Sequence, residues 1–191
     1  TMKKARPYTL DNRGQVEGEI AKASVDFIER KAKGKQPFFL YVGFTNTHYP
    51  IRTAPEFVGK SRIGPYGDAI MELDYRTGQI LDAIKAAGVE DNTIVIWISD
   101  NAAAPTGGPS DTRFGFNGPF RGELGDATAG SIRTIGMVKW PGKIAPRVSN
   151  EMFAVHDWFP TLASIIGAKV PTDRPIDGMD QSAFITGKQA K

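Results

Sequence analysis

Two continuous apolar runs constrain the fold of this 191-residue chain more than any other feature. The first, PFFLYVGF, covers residues 37–44, and the second, TIVIWIS, covers residues 93–99. Apolar runs of this length without polar alternation are typical of strands that are covered on both faces, as in parallel sheets. We therefore predict two buried strands. The aromatic residues of the first run are expected to lie in the core, namely Phe38, Phe39, Tyr41 and Phe44.

Helical patterns lie before, between and after these runs. VEGEIAKASVDFIERKAK, residues 16–33, has apolar residues at helical spacing. DAIMELDYRTGQILDAIKAAG, residues 68–88, repeats that spacing and ends at Gly88, a residue that suits a helix C-terminus. IRTIGMVKW, residues 132–140, predicts a third strand, and residues 155–168 predict a short apolar helix. This alternation predicts an α/β fold with a mainly parallel central sheet and helices on both faces.

The composition is that of an ordinary globular protein and excludes several functions. The net charge is only +3, and the Lys and Arg residues are spread along the chain, which argues against a nucleic-acid partner. The absence of cysteine excludes disulfides, thiolate metal sites and a cysteine nucleophile in these residues. No run is long enough to predict a membrane span, and residues 1–14 lack the apolar region of a signal peptide. Charged residues of the first helix are expected on a solvated face, namely Glu17, Glu19, Lys22, Glu29, Arg30 and Lys31.

Polar residues follow both apolar runs, where the ligands of an α/β sheet usually bind. Asp100 and Asn101 offer hard oxygen ligands for Ca²⁺ or Mg²⁺, although Asp100 could equally cap the next turn. His48 could contact an anionic substrate or act as a general acid, or it could be an ordinary loop residue. The only other histidine, His156, is interpreted as structural. The residues alone leave these alternatives open.

Four segments, in the same order, resemble the sulfatase family of the alkaline-phosphatase-like superfamily, and are arylsulfatase-like. PFFLYVGFTNTHYP resembles the family's strand and H-x-P loop, and YRTGQILDAIKAAGVEDNTIVIWISDN resembles its helix, turn and S-D-N strand end. FRGELGDATAGSIRTIGMVKWPGKI resembles the R-G-x-K…E-G-G-x-R…W-P-G block. VHDWFPTLASIIGAKVP and the following PIDGMDQSAFITGK resemble the D-x-x-P-T-L…D-G segment. The resemblance runs from about residue 15 to the end.

This resemblance implies roles for three residues. Asp100 and Asn101 match the pair that binds the divalent cation, usually calcium. His48 matches the histidine that contacts the sulfate group near the scissile ester oxygen, which makes it both catalytic and substrate-binding. The family's nucleophile is a formylglycine made from Cys or Ser in C/S-x-P-S-R, and neither that motif nor the amino-terminal aspartates of the metal site occur in this sequence. The rest of a sulfatase chain is therefore expected to complete the site, in a periplasmic or secreted protein.

The sequence departs from the family pattern at three places. Leu124 stands where the family often has lysine, and leucine cannot donate a charge-assisted hydrogen bond to sulfate oxygens. Ala129 begins the segment where E-G-G is usual, and Ala102–Ala104 follow S-D-N where the family favours glycine. The wall that faces the anion is therefore either built differently in this subgroup or impaired.

We expect residues 1–191 to be part of a sulfatase catalytic domain that hydrolyses aryl or small organic sulfate monoesters, and to be inactive alone. One alternative is a phosphonate or phosphate monoester hydrolase of the same superfamily. A second alternative is a sulfatase-like binding domain without catalytic activity, which the altered positions Leu124 and Ala129 would suit.

Overall fold

The computed structural model describes residues 7–104 and 115–188. The chain divides into two compact units, Thr1–Val138 and Lys139–Lys191. No helix in the described ranges is long and apolar enough to cross a membrane. The α-helices are α1 (Leu10–Ala32), α2 (Pro65–Ala86), α3 (Ala129–Ile132), α4 (Trp158–Ile165) and α5 (Ser182–Ile185), the strands are β1 (Val95–Ile98) and β2 (Gly136–Lys139), and short 3₁₀ turns cover Pro55–Phe57, Glu90–Asn92 and Val155–Asp157.

Helix α1 begins six residues before the predicted segment. Its N-cap is Thr9, whose backbone N–H donates to the Asn12 side-chain oxygen at 3.0 Å. This bond satisfies a backbone donor that the first turn of a helix would otherwise leave unpaired. The polar cap explains the early start, because apolar periodicity alone does not mark a polar first turn.

Helix α2 confirms the second predicted helix and its end. Pro65 opens the helix at a position where the missing N–H costs nothing. Gly88 follows the C-cap residue Ala87 and has φ of +70°, a conformation that side-chain-bearing residues rarely adopt. The N–H of Val89 donates to the Ile84 carbonyl at 3.3 Å, which closes the last turn.

The core of the first unit lies where the carboxyl-terminal halves of α1 and α2 pack together. Ile28 of α1 is fully buried against Ala83 and Ile84 of α2. Earlier in both helices, Gly18 of α1 approaches the Arg76 guanidinium of α2, so the two helices run side by side in the same direction. The half-buried residues packed on this cluster are Val25, Phe38, Leu40, Ile80, Ala87, Val89 and Val95.

The first apolar run, residues 37–44, is extended but is not assigned as a strand, so that prediction is wrong for the described residues. Burial alternates along it: Phe38 and Leu40 pack on the core, whereas Phe39 and Tyr41 are 78% and 82% exposed. The expectation that all its aromatic residues lie in the core is therefore also wrong. An extended segment becomes a strand only beside a hydrogen-bonded neighbour, and the described residues supply none here.

The second and third predicted strands are present and shorter than expected. β1 and β2 form a small antiparallel sheet of two strands, and the Ser99 N–H continues the pairing by donating to the Ile135 carbonyl at 3.2 Å. β1 is half-buried rather than covered on both faces. The described residues contain no further sheet, so the mainly parallel arrangement stays a prediction.

The second unit is organised around the buried carboxylate of Asp157, at the start of α4. One of its oxygens accepts the Met179 N–H at 2.8 Å, and the other accepts the Ala154 N–H at 3.0 Å and the Gln181 amide at 3.5 Å. Burial alone would raise the pKa of Asp157, but these hydrogen bonds outweigh it and hold the pKa below its ordinary value of 3.8. Asp157 thus ties the start of α4 to a segment about twenty residues away.

Replacing Asp157 by alanine is expected to lower the free energy of unfolding by about 1–3 kcal/mol, because two part-buried backbone N–H groups lose their acceptor. A carboxyl group with a lowered native pKa contributes stability above its unfolded pKa, and loses it as the pH falls through the native value. The difference between wild type and Asp157→Ala should therefore shrink below about pH 4. Thermal unfolding at pH 7 and at pH 3 measures this. The exposed Asp173→Asn provides the control, and an equal effect of both substitutions would contradict the prediction.

Candidate functional site

His48 is exposed in the loop that follows the extended segment 37–44, and we call residues 45–54 the His48 loop. The His48 N–H donates to the Thr45 carbonyl at 3.0 Å, which closes a tight turn. The imidazole Nδ1 lies 2.6 Å from the Tyr49 carbonyl oxygen. Because a carbonyl only accepts hydrogen bonds, Nδ1 carries a proton in this arrangement. Nε2 is therefore the ring nitrogen that is left for a ligand.

Buried polar side chains of α1 and α2 hold the His48 loop at three points. Arg13 Nη2 donates to the His48 carbonyl at 2.6 Å. The Glu17 carboxyl accepts the Thr45 N–H, at 3.0 and 3.2 Å to its two oxygens, and also the Thr45 hydroxyl. Glu72 accepts the Ala54 N–H at 3.0 Å. The prediction that Glu17 lies on a solvated face is wrong, because its side chain is only 1% exposed. Its hydrogen bonds to Thr45 on the loop compensate for the burial of the carboxyl group.

Glu72 also anchors a cationic side chain between the helices. Its carboxyl group is fully buried, and burial raises its pKa, against the opposing effects of the Ala54 N–H and the Arg76 guanidinium. Arg76 Nη2 lies 3.3 Å from Glu72 and 2.8 Å from Glu56. The guanidinium also lies 5.4 Å from the Phe57 ring centroid. This network joins α2 to the 3₁₀ turn that follows the His48 loop.

Asp100 and Asn101 lie directly after β1. The Asn101 carbonyl accepts the Ser99 hydroxyl at 3.1 Å and the Thr134 hydroxyl at 3.0 Å, so a residue just after β1 and one just before β2 fix the backbone here. The Asp100 carboxylate is exposed, and Ser99 Oγ approaches it only at 3.5 Å. Within the described residues the Asn101 side-chain amide makes no hydrogen bond. Among the described residues, the Asn101 amide is thus unbonded, and the Asp100 carboxylate has only the long Ser99 contact.

These oxygens fit a calcium or magnesium ion by their chemistry, as part of a ligand set. Ca²⁺ takes about 6–8 hard oxygen ligands, such as carboxylates and amide carbonyls. In the described part of the chain, no group of three or more His, Cys, Asp or Glu side chains could hold a metal ion. Asp100 and Asn101 could supply two oxygen ligands of such a set, although Asp100 belongs to no group of three such side chains among the described residues.

The alanine stretch after Asn101 lies beside Leu124. The Leu124 N–H donates to the Ala103 carbonyl at 2.9 Å. The Asn117 side chain links the same two segments. It accepts the Ala103 N–H at 2.9 Å and donates to the Ala103 and Gly122 carbonyls at 3.2 and 3.1 Å. Two of the three departures from the family pattern are thus in direct contact.

The predicted site residues are not joined directly to one another by hydrogen bonds among the described residues. Asp100 and Asn101 lie together, whereas no hydrogen bond or ion pair among the described residues joins either of them to His48. His156, interpreted as structural, is exposed in the 3₁₀ turn before α4, with Nε2 4.0 Å from Asp157. The supporting residues Arg13 and Asn117 carry no motif in the sequence, and they act through hydrogen bonds to backbone atoms of residues 35 and 14 positions away.

The comparison with family models decides the classification. The model described as Sulfatase matches residues 1–168, which is most of the chain. The chain belongs to the sulfatase family. The resemblance carried by the H-x-P, S-D-N and W-P-G segments is thereby confirmed.

Individual relatives of this sulfatase-family chain include curated enzymes and solved structures. N-acetylgalactosamine-6-sulfatase of Canis lupus familiaris is 38% identical over 167 residues, which are 87% of this chain and 32% of that protein. Steryl-sulfatase of Rattus norvegicus is 39% identical over 171 residues, 88% of this chain and 29% of that protein. The crystal structure of PsFucS1 sulfatase from Pseudoalteromonas sp. aligns with a TM-score of 0.87 at 29% identity, covering 96% of this chain and 37% of that one.

The sulfatase-family chain spans about a third of the length of the relatives that it matches. Its structural neighbours are sulfatases, so its fold is the corresponding part of theirs. The relatives that it matches are sulfuric ester hydrolases.

Proposed function

We propose that this chain is part of a sulfatase that hydrolyses sulfate monoesters, with aryl or small organic sulfates as substrates. The single observation that carries the proposal is the sulfatase match over residues 1–168, together with curated relatives at 38–39% identity. The protein then handles a small anionic ester and needs no nucleic-acid partner.

His48 is the catalytic and substrate-binding residue of the proposed site. The tautomer in which Nδ1–H donates to the Tyr49 carbonyl leaves Nε2 to meet the ester oxygen. Protonated at Nε2, the imidazole donates a hydrogen bond to that oxygen and can give it a proton as the alcohol or phenol leaves. Its exposure in the His48 loop supports access by a substrate.

Asp100 and Asn101 are the proposed ligands of a divalent cation, Ca²⁺ or Mg²⁺, in company with ligands from elsewhere in the protein. Such a cation would neutralise negative charge on the sulfate group, and a formylglycine outside these residues would supply the nucleophile. The part played by this chain is to hold two hard oxygens at a fixed distance from β1. The two hydroxyl bonds to the Asn101 carbonyl support that role.

The remainder of a sulfatase catalytic domain is the proposed partner of these residues. The exposed aromatic side chains of residues 37–44, Phe39 and Tyr41, suit a covering layer from the rest of the domain, as on the faces of a mainly parallel sheet. The one-third coverage of the relatives supports the same view. We propose that residues 1–191 form part of one alkaline-phosphatase-like domain, in a periplasmic or secreted protein.

The test compares the full-length protein on an aryl sulfate and on the matched aryl phosphate, with calcium and with a chelator. We expect turnover of the sulfate to exceed that of the phosphate by a factor of about 100 or more, and to fall in the chelator. The isolated residues 1–191 serve as the control and should show no turnover. Faster phosphate hydrolysis would favour the phosphonate or phosphate monoester hydrolase, and sulfate turnover by residues 1–191 alone would overturn the need for an outside nucleophile.

A second candidate is a sulfatase-like binding domain without catalysis. The contact between Ala103 and Leu124 favours it, because two altered positions lie together where the resemblance implies the anion-facing wall. Such a protein would bind the aryl sulfate without turnover, which calorimetry combined with a product assay would show.

A further inference from the structure

We propose that Arg13 and Glu17 of helix α1 are positioning residues for His48. They hydrogen-bond to the backbone at the two ends of the turn that carries its imidazole, Arg13 at His48 and Glu17 at Thr45. The proposal rests on the role proposed above for His48 at the ester oxygen. It concerns residues that do not touch the substrate and that act through the His48 loop.

Arg13 fixes the carbonyl of His48 itself. It is 8% exposed, and its Nη2 bond to that carbonyl, at 2.6 Å, spans 35 positions of sequence. The next residue, Gly14, allows the loop to approach α1 closely, since a Cβ there would lie only 2.7 Å from the Thr53 carbonyl oxygen. The first turns of α1 therefore contact the His48 loop at two points, His48 and Thr53.

Glu17 fixes the start of the same turn. Its carboxyl group accepts both the N–H and the hydroxyl of Thr45, and the Thr45 carbonyl in turn accepts the His48 N–H at 3.0 Å. Glu17 and Arg13 lie four residues apart and so share one face of α1. The turn from Thr45 to His48 is thus held at one end by a carboxyl group and at the other by a guanidinium.

The position of the His48 imidazole depends on these hydrogen bonds to the backbone of the turn. Among the described residues, its ring is bonded only to the carbonyl of its own neighbour, Tyr49. The backbone of the turn therefore sets the position of Nε2. A buried polar side chain needs a hydrogen-bond partner, and both Arg13 and Glu17 find theirs on the backbone of this turn. A misplacement of about 1 Å at a reacting group can cost about 100-fold in rate.

The experiment measures kcat/KM of the full-length protein on aryl sulfates whose phenols differ in pKa. Arg13→Ala is expected to lower kcat/KM by about 10- to 100-fold for the poorest leaving group and much less for the best one. Arg13→Lys keeps the charge without the planar fork, so we expect a smaller loss of the same kind. It carries the test if Arg13→Ala does not fold. The exposed Arg30→Ala on the same helix is the matched control and should leave kcat/KM unchanged.

Each variant is also made in a His48→Ala background. If Arg13 acts through His48, its substitution has no further effect there. An equal loss for all leaving groups, or the same loss in the His48→Ala background, would show a merely structural role and overturn the inference. If His48→Ala itself leaves the leaving-group dependence unchanged, the proposed role of His48 fails instead, and the two failures are distinguished.

Discussion

His48→Ala in the full-length protein is expected to lower kcat/KM for aryl sulfates by a factor of about 10² to 10⁴, the usual contribution of a positioned acid or base. The physical reason is that Nε2 is the ring nitrogen left free by the Nδ1 bond to the Tyr49 carbonyl. Without the imidazole, the departing oxygen must carry its negative charge unaided. The loss should therefore grow as the phenol becomes a poorer leaving group.

His156→Ala is the matched control, because the chain has only two histidines and His156 is exposed in the other unit. It should change kcat/KM by less than about twofold, as surface substitutions usually have small effects. Thermal unfolding of both variants checks that the fold is retained. An equal loss from both substitutions, or none from His48→Ala, would contradict the role proposed for His48.

The helices could be predicted from the sequence because their signals are local. The repeat of apolar residues along α2 and the glycine at its end are both visible within about twenty letters, and Gly88 has the positive φ that such an end requires. The two apolar runs have equally clear signals, yet only the second contains a strand, β1. A strand depends on hydrogen-bonded neighbours that lie elsewhere in sequence, and residues 37–44 have none among the described residues.

The site could be predicted in part for the same reason. His48, Asp100 and Asn101 occur in short motifs whose resemblance to sulfatases could be seen directly, although their roles stay proposals. Arg13 and Glu17 could not be assigned to the site, because they contact main-chain atoms of residues 35 and 28 positions away. A glutamate on an amphipathic helix is usually solvated, and nothing in the sequence near Glu17 indicates that the Thr45 N–H will meet it.

Asp100→Ala is expected to abolish the calcium dependence of the full-length protein, in its stability as well as in its activity. A ligand present at 100 times its dissociation constant stabilises the folded state by about 2.7 kcal/mol, and this gain should be lost in the variant. Removing this carboxylate takes one charged ligand away from the ion, so kcat/KM should fall by about 100-fold or more. Calorimetric titration with calcium and thermal unfolding with and without calcium measure the binding independently of turnover.

Asp91→Asn is the matched control, since Asp91 is an exposed carboxylate in the turn that precedes β1. It should keep the full calcium-dependent stabilisation. If Asp100→Ala keeps it too, Asp100 is a turn residue rather than a ligand, which is the alternative that the sequence leaves open. The backbone itself should survive the substitution, because the two hydroxyl bonds at this strand end go to the Asn101 carbonyl and not to the Asp100 side chain. A lost response to calcium would then report on the ion and not on the fold of the strand end.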